Sequence, residues 1–235
     1  MTNFIILDIE TNTDSRYNRT ANFLYNDIVA YSIKDSQRQE THYTDSSLRS
    51  EYIEDLVTEL CRHDLIVAHN AKFEMLYLWE YDKIQDWLRK GGKIYCTQLA
   101  EYYLSNYQTQ FAALRELATT KYGCPVREKK MEEYWKQGID TSDIPEDLVL
   151  EDVKNDVLDT YKIYIEQQKE TDIRGKEFRR TIEIQNDLLL STIEMEYNGF
   201  KVNKNTLVRN KTELQAELAQ HEQDLKGLIE RYWKV

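Results

Sequence analysis

At 235 residues the chain is long enough to bury a substantial core, as one domain with an appendage or as two small domains. Two prolines and seven glycines, beside plentiful Glu, Lys and Leu, favour a helix-rich α/β architecture over an all-β sandwich. A net charge of −11 argues against gripping nucleic acid through a broad basic surface, yet leaves it open as a substrate, because divalent ions offset a carboxylate-lined site.

Phe4-Ile5-Ile6-Leu7 runs directly into Asp8-Ile9-Glu10-Thr11. On a buried strand the i, i+2 spacing turns both carboxylates to one face at the carboxyl end. Hard cations take oxygen ligands, and two-metal sites need several acids within reach of one phosphate, so this pair is a candidate metal site. A mixed polar stretch follows, then a second strand over 27–33 and a third over 39–44, an antiparallel meander opening an α/β domain. Residues 48–62 carry Leu48, Ile53, Leu56, Val57 and Leu60 at roughly helical spacing.

Residues 64–68 read as a short buried strand, with His69-Asn70-Ala71-Lys72-Phe73-Glu74 immediately after it. Asn70 suits an N-cap, which puts Glu74 in the first helical turn. Taken alone, Glu74 suits an acid complementing the helix dipole; a catalytic role requires other acids to converge on it. His69 reads as a strand-end hydrogen-bonder rather than a base. Residues 94–104 pass from strand to helix, and 111–122 form another helix stopped by Gly123. Arg127-Glu128-Lys129-Lys130, near Trp135, reads as a solvated helix face in preference to a substrate contact.

Pro145 opens a long helix reaching about Lys169, with Val149, Val153, Val157 and Tyr161 as its buried stripe. Asp152 and Asp156 share the neighbouring stripe, with Glu151 and Asp159 as alternative acids. Like charges at i, i+4 destabilise an ordinary helix surface, so this pair hints at a cation nearby. From Thr181 a further helix runs to Asn198-Gly199. Another begins near Lys204 with Leu207, Leu214, Leu218, Leu225, Leu228 and Tyr232 at near-heptad spacing. That stripe is too long for one preceding helix to cover, which predicts self-association or a partner chain. Cys61, Cys96 and Cys124 have no zinc-ligand spacing and read as reduced thiols. With no basic leader and no apolar run of membrane-spanning length, the expectation is a soluble, untargeted cytoplasmic protein.

Leu7-Asp8-Ile9-Glu10-Thr11, His69-Asn70-Ala71-Lys72-Phe73-Glu74 and Glu151-Asp152-Val153-Lys154-Asn155-Asp156-Val157 together resemble the three exonuclease motifs of the DEDD superfamily. The likeness is to the proofreading domains of family A DNA polymerases, the phage-like ones most of all, and spans roughly residues 1–168. Thr97-Gln98-Leu99-Ala100-Glu101-Tyr102-Tyr103-Leu104 adds to it. The resemblance implies a ribonuclease-H-like mixed sheet flanked by helices, two divalent ions (Mg²⁺ or Mn²⁺), and hydrolysis of phosphodiester bonds at the 3′ end of single-stranded DNA in a bacterial or phage-infected cytoplasm. By motif position it assigns Asp8, Glu10, Glu74 and Asp156 as metal carboxylates, with Asp152 as a further catalytic acid. Thr11, Asn70 and Phe73 become substrate contacts.

Two positions depart from the family: Glu74 stands where Asp is usual, and Asp152 where a water-orienting Tyr is usual. An ionised carboxylate only accepts hydrogen bonds, so reduced or retuned activity is expected. Ile193-Glu194-Met195-Glu196-Tyr197-Asn198-Gly199-Phe200-Lys201-Val202-Asn203 is similar to the start of the polymerase portion of the same family. The expected organisation is therefore an exonuclease domain over 1–170 and a truncated, thumb-like helical extension over 171–235, lacking the polymerase acids. The rival reading is a catalytically weakened nucleic-acid-positioning module, or the partner-binding half of a split polymerase.

Overall fold

The computed structural model describes residues 3–13, 21–44, 47–108, 112–128 and 130–233. They fall into two compact units, Met1–Tyr197 and Asn198–Val235.

The first unit is built on a five-stranded sheet of order β3-β2-β1-β4-β5, formed by Phe4–Thr11, Ile28–Lys34, Gln39–Tyr43, Leu65–Ala68 and Lys93–Cys96 as β1 to β5. The first three strands pair antiparallel, and β4 and β5 continue the sheet parallel to β1. Parallel neighbours need crossover connections, and helices supply them: α1 (Arg49–Leu60) before β4, then α2 (Lys72–Leu78) and α3 (Asp82–Arg89) before β5. This is a ribonuclease-H-like mixed sheet flanked by helices. The sequence reading assigns no element to 79–92. Helix α3 was hidden there because its eight residues offer only Ile84 and Trp87 as buried positions.

The alternation of β1 decides where its acids point. Ile5, Leu7 and Ile9 enter a core with Leu56, Val57, Met75 and Trp87 from α1, α2 and α3. Ile6 faces the opposite layer, with Val157 and Tyr164 of α7 (Glu146–Arg174) and Ala100 of α4 (Thr97–Leu104). Asp8 and Glu10 continue the Ile6 face at period two, and so look towards α7.

Helix α7 begins after Pro145 as expected, and Val149, Val153 and Val157 are fully buried. Tyr161 is only half-buried; the buried positions move on to Thr160, Ile163, Tyr164, Gln167 and Thr171. Each step of four residues overshoots a 3.6-residue turn by about 40°, so a strict fourth-residue stripe winds off the core. Two shorter helices precede it, α5 (Leu114–Thr120) and α6 (Lys130–Lys136), and a 3₁₀ turn at Thr141–Asp143. The helix expected from Phe111 is seen from Leu114; Phe111 itself lies outside the described residues, as does Lys129. Gly123 follows α5 with φ +61°, in the left-handed region favoured by glycine at a helix stop.

Gly175, with φ +94°, is all that separates α7 from α8 (Lys176–Asn198). Helix α8 packs back on the sheet layer. Its Asn186 side-chain oxygen accepts from the Cys96 N–H on edge strand β5 at 2.8 Å, and Ile193 is fully buried in the α1–α3 core.

The second unit contains α9 (Lys204–Trp233). Its Leu207, Leu214, Leu218, Leu225, Leu228 and Tyr232 are all exposed. Among the described residues no helix is long and apolar enough to cross a membrane.

Candidate active site

Three elements bring acids together at the carboxyl end of β1. Asp8 is buried opposite Ser32 of β2, and Glu10 lies where the β1–β2 register shifts before Thr11. Asp156 comes from α7. Asp8, Glu10 and Asp156 each offer a carboxylate oxygen, and these oxygens lie within 4.8 Å of one another. Glu74, in the first turn of α2, is the fourth acid: it is 3% exposed, and its Oε2 is buried with no hydrogen-bond partner among the described residues.

Crowding and burial show in the proton affinities. Burial, then the charges of Asp156, Glu10 and Glu74, push Asp8 well above the usual carboxylate range. Glu10 is pushed up to about 8 by burial, then by Asp152 and Asp156, against the lowering effect of Arg115. Asp156 rises to about 6, again chiefly through burial, with Arg115 opposing. Glu74 is raised well above its ordinary value by burial and by the Glu10 charge. Four acids whose proton affinities are all raised by burial and mutual repulsion, one with an orphaned oxygen, form a donor set suited to a hard divalent ion.

Asp152, one turn before Asp156, is ion-paired to Arg115 of α5, whose Nε also lies 3.5 Å from Asp156 Oδ1. The like-charge pair on α7 thus has a cation beside it, contributed by the chain itself. Arg115 was missed in the sequence reading; the signal was the unexplained Asp152/Asp156 pair, which gave no clue to its partner's position. Arg127 was likewise misread: it precedes α6 and is ion-paired to Asp159, itself 3% exposed, so it is a structural counter-ion and not part of a solvated helix face.

Asn70 is not the N-cap of α2. Ala71 holds that place without a side-chain bond, and Asn70 stands one residue earlier at φ +65°, a conformation Asn tolerates better than most residues; its carbonyl accepts from the Phe73 N–H at 2.7 Å. His69 is a strand-end hydrogen-bonder as expected. Its Nε2 donates to the Ala112 carbonyl at 3.0 Å, and Nδ1 accepts from the Thr97 hydroxyl at 2.9 Å, the neutral ring that burial favours.

Beside Glu10 opens a cleft of about 370 Å³ lined by Thr11, Thr13, Phe73, Trp135 and Thr141. Thr13 fixes its rim: the backbone N–H and hydroxyl donate to one Asp140 oxygen at 2.7 and 2.8 Å. The Trp135 indole donates to Thr141 Oγ1 at 3.2 Å. Of the substrate contacts implied by sequence, Thr11 and Phe73 therefore line a cleft that touches the acids, whereas Asn70 does not line it.

By sequence, no family model and no curated protein matches the chain. By structure, it is similar to Brucella melitensis NrnC with bound Mg²⁺, at 11% identity and a TM-score of 0.57, over 87% of this chain and 90% of that one. The same protein bound to pGG aligns over the same shares at 12% identity and a TM-score of 0.59. A structure described as the apo form of a nuclease aligns at 10% identity and 0.59, over 86% of this chain and 88% of that one. At these identities the likeness is one of fold.

Proposed function

We propose that the chain is a divalent-metal-dependent nuclease, a 3′→5′ exonuclease acting on single-stranded DNA ends as the proofreading part of a family A DNA polymerase system. The observation that carries this reading is the convergence of Asp8, Glu10 and Asp156 within 4.8 Å, beside the buried, unpartnered Glu74 oxygen. Solved structures of the same fold include one with bound Mg²⁺ and one bound to pGG, which supports a metal-assisted phosphodiester chemistry.

Two bound Mg²⁺ or Mn²⁺ ions would supply a water deprotonated near neutral pH and neutralise the charge developing on the leaving oxygen. The chain's own residues do the rest. Asp8, Glu10, Glu74 and Asp156 would hold the ions, and the same burial that raises their proton affinities keeps bulk water from screening them. Asp152 orients the attacking water by accepting its hydrogen bond. Phe73 and Trp135 give the terminal base two aromatic walls to stack on, and Thr11 and Thr13 place hydroxyls along the cleft rim. The exposed leucine stripe of α9 gives the second unit a face for a polymerase chain or a second copy.

Incubation with 3′-labelled single-stranded DNA and Mg²⁺ or Mn²⁺ tests the reading. Release of the labelled terminal nucleotide by wild type, abolished in Asp8→Ala, is expected. Absence of cleavage by wild type with either ion would refute it and favour the positioning or split-polymerase role.

A further inference from the structure

Among the described residues, Arg115 is the cation that touches the acid cluster, and it does so at two points. Its Nη2 donates to Asp152 Oδ1 while Nε lies 3.5 Å from Asp156 Oδ1, with its side chain 23% exposed. Holding a guanidinium in so secluded a place is favourable only while acids compensate it. Asp156 is also one of the three carboxylates that meet within 4.8 Å. A divalent ion bound there and the guanidinium therefore compete for the same carboxyl group.

A second observation gives the displaced group somewhere to go. Arg115 also lines a cavity of about 450 Å³ with Thr119, Arg127, Trp135, Asp156 and Asp159. Arg127 is held by Asp159, so its charge is already spoken for, and Arg115 borders both the acid cluster and this space, which Glu116 and Glu132 line as well. A planar guanidinium fork matches phosphate oxygens in pairs, which an ammonium does not.

Resting on the metal-dependent reading above, we propose that Arg115 is an exchangeable counter-ion and positioning residue. It holds Asp156 and Asp152 in the metal-free protein, yields Asp156 to the incoming divalent ion, and turns its guanidinium to a phosphate group in the adjoining cavity. The phosphate belongs to the strand being cut or to the released nucleoside monophosphate; the recognition chemistry is common to both. The exchange leaves neither partner uncompensated: the divalent ion takes over the acid that the guanidinium gives up, and the anion compensates the guanidinium.

The test compares wild type, Arg115→Lys and Arg115→Ala at pH 8, each first shown to be folded by its thermal melt. Calorimetry with Mn²⁺ alone reads the competition. Removing the internal cation should tighten Mn²⁺ binding by about tenfold in Arg115→Ala, while Arg115→Lys, which keeps a competing charge, stays near wild type. Anisotropy of a labelled oligothymidylate and calorimetry of dAMP, both with Ca²⁺ as the ion, read the phosphate. Both variants should lose affinity for at least one. Loss for the oligonucleotide assigns the contact to the strand, and loss for dAMP to the product. Equal Mn²⁺ affinity in all three proteins overturns the exchange, as does unchanged binding of both phosphate probes. A wild type that binds no Mn²⁺ removes the metal-dependent reading itself, a result distinguishable from either.

Discussion

Replacing Glu10 by Gln should make the metal-free protein more stable, by an amount that grows with pH. The Glu10 carboxyl is displaced from 4.5 to about 8 in the folded chain, mainly by burial and then by Asp152 and Asp156. The folded state therefore binds a proton more tightly than the unfolded state. Its contribution is fully present below pH 4.5 and is lost as pH rises through about 8. At about 1.4 kcal/mol per pH unit, the wild type should have lost about 3 kcal/mol by pH 7 and about 5 kcal/mol by pH 9. Glu10→Gln, which cannot ionise, escapes that loss. Denaturant melts in EDTA at pH 5, 7 and 9 should show the two proteins diverging as pH rises. Saturating Mn²⁺ should reverse the order, because only the wild type gains the full binding free energy. If the difference in EDTA is the same at all three pH values, Glu10 is not desolvated among other acids and the geometry argued for the site is wrong.

Three further outcomes follow from named contacts. Arg127→Ala strands the Asp159 carboxylate, which is 3% exposed, and should cost about 3–5 kcal/mol in denaturant melts; adding Asp159→Asn should recover much of it. A Cβ on Gly92 would lie 2.2 Å from the Trp87 indole, which is anchored through its N–H to the His63 carbonyl at 2.7 Å, so Gly92→Ala should cost about 1–3 kcal/mol and shift the tryptophan emission. In single-turnover cleavage, Asp152→Tyr should raise the rate and Asp152→Ala leave a low one, about 10²-fold down, while Asp156→Ala is far more damaging; equal loss in the two alanine variants would make Asp152 an essential ligand.

What was legible in the sequence was what repeats locally. The alternation in β1 gave the strand and the common face of Asp8 and Glu10, and the valines of α7 gave the helix that faces them. Glu74 was placed correctly in the first turn of α2 because a short strand and a helix start sit side by side in the chain. The partners of buried charges were not legible. Arg115 and Asp152 come from different helices, as do Arg127 and Asp159 from a loop and a helix, and no local pattern records which cation will neutralise which acid. The Asn70 conformation was missed for a related reason: Asn serves both as a cap and in the left-handed region, and only the path of the chain between β4 and α2 selects one.

The joint at Gly175 bears on which changes of length the chain can absorb. With a single residue between α7 and α8, no slack is available to take up an extra one. One residue inserted anywhere in α8 before Asn186 would turn every later side chain about 100° around the helix axis and slide it about 1.5 Å along. Asn186 would then leave the Cys96 N–H and Ile193 would leave the core, both at once. Substitutions can accumulate across the outer faces of these two helices at little cost, but insertions and deletions cannot. Homologues should therefore keep the spacing from Asp156 to Asn186 while varying freely in length elsewhere, above all in the connections between the strands.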